Sequence, residues 1–252
     1  MTLVAAVVSP HPPVLVPAVA AGAAGELSDL RAAVGNALDQ LWTAGPDFVI
    51  VVGPAPETRA YDATAEGNFA GYGVPLRVSL DGGREASTGW DGDGPVAPSG
   101  QDGGGPLPLS LAVGAWLLRH RPAGTRCRGQ AVAAGAVAAD CAALGARLAA
   151  SAARVGLLVM ADGSACRGDK SPGYADPRAE SFDAAVTSAL RAADVDALLR
   201  LDTVLAAELL AAGRPAWQVL AGAAGTGGWH GEVGYDAAPY GVQYTVATWR
   251  PA

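Results

Sequence analysis

Lysine is almost missing from this chain. Lys170 is the only one, the remaining basic residues are arginines, and no Lys/Arg run exceeds two. The formal net charge is -7 and the isoelectric point is near 4.9. A nucleic-acid surface or an anionic membrane needs clustered positive charge, so neither is expected as a partner. Cysteine and histidine are scarce as well, with three of each. Cys127, Cys141 and Cys166 are widely spaced, and no CxxC or Cys/His pair has the spacing of a zinc site. No disulfide framework is evident, which suits reduced thiols and a cytoplasmic location. Long hydrophobic runs are missing too. The apolar stretch in Leu3 to Val8 is about six to eight residues long and has no basic segment before it, too short for a signal peptide or a membrane span. It reads as a buried first strand.

Ala, Gly and Val dominate what is present, and half the residues are hydrophobic. A chain of 252 residues with neither linker nor repeat is expected to form one α/β domain over 1–252, able to bury a large core. Strand candidates are Leu3 to Val8, Phe48 to Val52, Leu76 to Leu80, Ala131 to Ala134, Val155 to Ala161 and Gly241 to Trp249. Helical spacing is found over Glu26 to Trp42, Ser110 to His120, Ala138 to Ala152, Pro177 to Ala192, Leu198 to Ala211 and Trp217 to Ala223. The alternation predicts a central, mostly parallel or mixed sheet with helices on both faces. Residues 81–108 are rich in glycine and are expected to form a flexible surface loop.

Three buried strands end in short polar or proline-rich loops: Ser9-Pro10-His11-Pro12-Pro13, Gly53-Pro54-Ala55-Pro56-Glu57, and Ala161-Asp162-Gly163-Ser164-Ala165-Cys166-Arg167. Strand C-termini line the ligand crevice of a parallel sheet, so these loops are expected to converge. Asp162, Ser164, Glu57, Arg59 and Lys170 are then candidate contacts for a polar small molecule, or a solvated rim with local ion pairs. His11 is either a ligand-contacting residue or a structural histidine bonded within its loop. Cys166 is either a nucleophile, given a depressed pKa, or an inert core thiol. His120, between Arg119 and Arg121, reads as solvated, and Trp217, Tyr235 and Tyr240 read as packing residues.

The order of motifs resembles the catalytic chain of the class III extradiol ring-cleavage dioxygenases, a group that also includes Memo-like proteins. Ser9-Pro10-His11-Pro12-Pro13 resembles the first metal-ligand loop of that family. Glu180, Phe182 and Asp183 resemble its E-x-F-D helix. Trp217 to Ala224 resembles the helix that follows, and Tyr235 to Tyr244 its Y-x-x-P-[FY]-G-V-G-Y ending. The resemblance implies Fe(II) held by two His and one Glu, with a further His as acid/base, and a homodimer. Carried over residue by residue, the first ligand falls on His11. The second falls on Ala55, the carboxylate on Gly213 and the acid/base His on Cys166. One of the four positions is retained, and a lone His holds iron poorly. Arg214, next to Gly213, would bring positive charge suited to an anionic ligand.

The expected function is therefore a small-molecule-binding or interaction protein on a dioxygenase-like scaffold, without cofactor. One alternative is a metal-independent enzyme using Cys166, Asp162 and His11. The other is a non-haem Fe(II) dioxygenase with relocated ligands, for which His11 is the retained metal residue.

Overall fold

The strands that build the core are apolar on both faces, and the fold explains why. A computed structural model describes residues 2–82 and 105–252. Leu3–Ser9 (β1), Phe48–Ala55 (β2), Arg126–Ala133 (β6) and Val155–Met160 (β7) form four parallel strands in the order β6-β2-β7-β1. Antiparallel strands flank them. Arg59–Tyr61 (β3) pairs with β6 at one edge. At the other, Tyr244–Pro251 (β9) pairs with β1 and with Trp229–Ala237 (β8), completing a seven-stranded mixed sheet. A separate hairpin joins Glu66–Asn68 (β4) to Arg77–Ser79 (β5).

Alternate residues of each strand enter different cores. Leu3, Ala6, Val8, Ile50, Val52, Leu157 and Val159 pack under Ala138–Ala149 (α4), Arg178–Ala192 (α5) and Arg214–Ala224 (α8). Ala5, Val7, Val49, Val51, Leu158 and Met160 pack under Ser28–Thr43 (α2) and Leu109–Leu117 (α3), near the short helix Pro17–Ala20 (α1). Burial on both faces is what makes a parallel strand read as a continuous apolar run. Helices α4 and α8 approach so closely that a Cβ on Gly145 would collide with the Val219 carbonyl, and one on Gly222 with the Ala142 carbonyl.

Several boundaries differ from the sequence expectation. β6 begins at Arg126 instead of Ala131, because Arg126 and Arg128 lie over the Phe48 ring at 5.5 and 5.2 Å and cover it with cationic side chains. The helix expected over Leu198 to Ala211 is two short ones, Val195–Leu199 (α6) and Thr203–Glu208 (α7). Asp202 splits them by accepting from the Val204 and Leu205 N–H groups as an N-cap. β3, β4 and β8 had no sequence counterpart. Of the glycine-rich segment expected over 81–108, residues 83–104 lie outside the described residues. Among the described residues, no helix is long and apolar enough to cross a membrane.

β1 leads to α2 on one face of the sheet, whereas its neighbour β7 leads to α5 on the other. The two connections diverge at the C-terminal ends of these strands, and such a switch point is where open α/β sheets take their ligands in a crevice.

Candidate functional site at the strand C-termini

β1 and β7 end in register, Ser9 against Met160, and the Ala161 N–H donates to the Ser9 carbonyl at 2.8 Å. The next residues meet across the crevice. The backbone N–H of His11 donates to Asp162 Oδ1 at 2.8 Å, and the His11 Nδ1 stands 3.5 Å from the same oxygen. Pro10, Pro12 and Pro13 restrict the backbone that presents His11. The Asp162 carbonyl in turn accepts from the Gly213 N–H at 2.8 Å, which ties the crevice to the start of α8. Thus His11, Asp162 and Gly213, distant in sequence, are joined at one point. His11 is 7% exposed, and its Nδ1 is occluded without a hydrogen-bond partner. The indole Nε1 of Trp217, in the first turn of α8, is likewise occluded and unpartnered.

Fit to a ferrous centre can be judged from Gly213, where the resemblance puts a carboxylate. A Cβ there would lie 2.6 Å from the Asp162 carbonyl and 2.8 Å from both Ala161 Cβ and Trp217 Cζ2. The backbone is ordinary αR at φ −71°, so glycine is required by space and not by conformation. Ala55 closes β2 with a methyl group, and its carbonyl accepts from Ala134. Among the described residues, no group of three or more His, Cys, Asp or Glu is arranged to hold a metal. The residues at the positions the resemblance points to do not fit an iron site.

Cys166, at the acid/base position, is buried, and its Sγ donates to the Leu209 carbonyl at 3.5 Å. Burial, then the negative charges of Asp176 and Asp183, push its pKa up. That is the opposite of what a thiolate nucleophile requires. No hydrogen bond or ion pair joins it to His11 among the described residues.

The other candidates scatter. Ser164 does not face the crevice. It is fully buried, and its N–H and Oγ both donate to Asp183, at 2.9 and 2.6 Å. Arg167 joins this knot, donating to Asp183 at 3.3 Å and to Gln243 Oε1 at 3.0 Å. Burial raises the Asp183 pKa, opposed by the hydrogen bonds from Ser164 and Arg167. The network fixes the 161–167 loop and so holds Asp162 in place.

Arg214 brings no charge to the crevice. Its guanidinium turns to the Ala134 and Ala136 carbonyls beyond β6 and to Gln218 Oε1, the last two at 2.7 and 2.8 Å. It is buried with no carboxylate within ion-pair distance among the described residues, and burial pushes its pKa down. Glu57 and Arg59 form a loose pair at 4.0 Å on the rim near β3, with the Glu57 side chain 72% exposed. Lys170 is exposed.

Tyr244 was not anticipated. It opens β9 and is buried. Burial first, and then the Asp162 charge, push its pKa above the usual tyrosine range. Its place beside the 161–167 loop depends on Gln243, whose carbonyl accepts from the Gly163 N–H and whose N–H donates to the Ser164 carbonyl, a contact periodicity alone does not give.

Chemically, the site offers an imidazole whose Nδ1 lies 3.5 Å from a carboxylate oxygen. Such a pair can hold a ligand hydroxyl or move a proton. Among the cavities lined by other elements, one of about 310 Å3 lies between α2 and β9, and one of about 370 Å3 between α2 and α3.

Compared with known proteins, the chain matches no family model. It matches no curated protein either. Among solved structures it is similar to an uncharacterized protein of Escherichia coli K12, JW3007. Sequence identity is 15% and the TM-score 0.49, over 98% of this chain and 99% of that chain.

Proposed function

We propose that the chain is a small-molecule-binding protein on a scaffold resembling the class III extradiol dioxygenases, with its ligand site at the β1–β7 crevice and without the iron chemistry. One observation carries this reading. Two buried nitrogens, His11 Nδ1 beside Asp162 and Nε1 of Trp217, whose ring lies against Gly213, have no hydrogen-bond partner among the described residues. A buried polar group left unpaired costs about 1–3 kcal/mol, and a ligand that supplies the partner recovers it. The filled space at Gly213 and the methyl of Ala55 support the part of the reading that leaves iron out.

The 3.5 Å approach of the His11 Nδ1 to Asp162 Oδ1 favours a second reading, a metal-independent acid–base enzyme. Cys166 takes no part in that version.

The test is metal content after anaerobic purification and incubation with excess ferrous iron. We expect no bound iron, together with thermal stabilisation by small hydroxylated compounds that His11→Ala abolishes. Iron near one equivalent that is lost in His11→Ala would overturn the proposal and restore a metalloenzyme.

A further inference from the structure

The groove between α2 and α3 lies away from the crevice and has its own chemistry. It encloses about 370 Å3, enough for a small ligand. Arg31, Leu38 and Trp42 of α2 line it. Eleven residues at 1.5 Å each separate Arg31 from Trp42, so the α2 residues lining the groove span about 16 Å. Its middle is apolar, with Val34 and Leu38 opposite Leu117. Trp42 and Trp116 also line it.

The charge here runs against that of the whole protein. Arg31, Arg119 and His120 line the groove against a single acid, Asp39, on a chain of net charge -7. Arg119 is engaged locally. Its guanidinium lies 3.8 Å over the Trp116 ring and donates to the Trp116 carbonyl at 2.8 Å, at the C-terminus of α3. Arg31 is different. Its Nη2 donates to the Ala24 carbonyl, but its Nη1 is occluded and makes no hydrogen bond. No carboxylate is within ion-pair distance of Arg31 among the described residues. A cation without an ion pair among the described residues, beside an apolar lining, is complementary in charge to a molecule with one anionic head and an extended tail.

We infer that the α2–α3 groove is a second ligand site, for a single-chain amphiphile with a carboxylate head at Arg31 and an alkyl tail along Val34 and Leu38 towards the indoles. Gly35 supplies a way to close it. This exposed helical residue lines the groove, and a Cβ there would meet nothing within 4 Å.

Decanoate is the probe, titrated against the full-length protein and followed by tryptophan emission and by calorimetry, with decanol as the uncharged control. Decanoate is expected to bind saturably and to shift the emission. Arg31→Met, which keeps the stem and removes the donors, is expected to weaken it about tenfold or more, as the loss of one charge-assisted hydrogen bond implies. Gly35→Phe is expected to abolish binding while the protein stays folded by circular dichroism. His11→Ala is expected to bind decanoate normally, which separates this site from the crevice. No saturable binding, equal affinity for decanol, an unchanged Arg31→Met or loss of binding in His11→Ala would each overturn the inference.

Discussion

Gly213→Ala tests whether the protein itself fills the place where the resemblance puts a carboxylate. Two effects of opposite sign compete. The backbone is αR, so alanine restricts the unfolded chain and stabilises by about 0.4–1 kcal/mol. Against this, the new methyl meets three atoms at 2.6–2.8 Å. One is the Asp162 carbonyl, which is tied to the Gly213 N–H. Another is Ala161, which follows β7 directly and is bonded to Ser9. Neither is the free end of a flexible side chain, and overpacking of this kind costs about 1–3 kcal/mol. The collision wins, and the net loss is on the order of 1–2 kcal/mol. At about 2–4 °C per kcal/mol for a chain of this size, Tm falls by roughly 2–8 °C. Gly35→Ala is the control. It too is helical, but its Cβ meets nothing within 4 Å, so it should stabilise by up to about 1 kcal/mol. Urea unfolding of the three proteins, with m held common, measures both. If Gly213→Ala is as stable as the parent while Gly35→Ala gains, a side chain fits at 213 and the steric case against a ligand there collapses.

Two further predictions concern thiols. Cys166, buried and with its pKa raised, should react with iodoacetamide at neutral pH no faster than the protein unfolds; rapid labelling of the native protein would revive it as a nucleophile. Burial, partly opposed by Arg121, pushes Cys127 up to about 11 from an ordinary 9.0. The folded state therefore keeps this proton longer than the unfolded state, so the stabilisation is complete below pH 9 and is lost as pH rises through about 11. Stability should fall more steeply over that window in the parent than in Cys127→Ala, and parallel curves would contradict the burial of this thiol.

The sequence was most readable where a segment's neighbours imposed one uniform environment. β7 is buried along its whole length, so its apolar run and its extent nearly coincide. α2 and α5 show clear periodicity because one side packs on the sheet and the other meets water. β8 was missed because it is an edge strand with one neighbour, and its inner residues are only half buried. At the site, the loops after β1 and β7 were identifiable from the residues that end those strands, but that β1 and β7 are neighbours is given by the strand order, which the apolar pattern does not contain. What each polar side chain does was not identifiable either. Ser164, in the loop after β7, and Arg214, at the start of α8, spend their donors on Asp183 and on the carbonyls beyond β6, choices made by segments that fold back from elsewhere in the chain. Asp183 stood in a recognisable motif, but its role in holding the 161–167 loop depends on how α5 lies across that loop.

The place of β1 within the sheet also sets the order in which the molecule can be assembled. Its two neighbours are β7 and β9, so the first strand has no partner until residue 155 has been made. β2 and β6, by contrast, can pair with each other while synthesis continues. Joining β1 to β7 closes a loop of nearly the whole intervening chain, an entropic cost that must be met before the long-range contacts repay it. The crevice between them therefore cannot exist on a partly synthesised chain. Ligand binding there would report on late folding, and a nascent chain stopped short of β7 would expose the apolar Leu3–Ser9 segment to other molecules during translation.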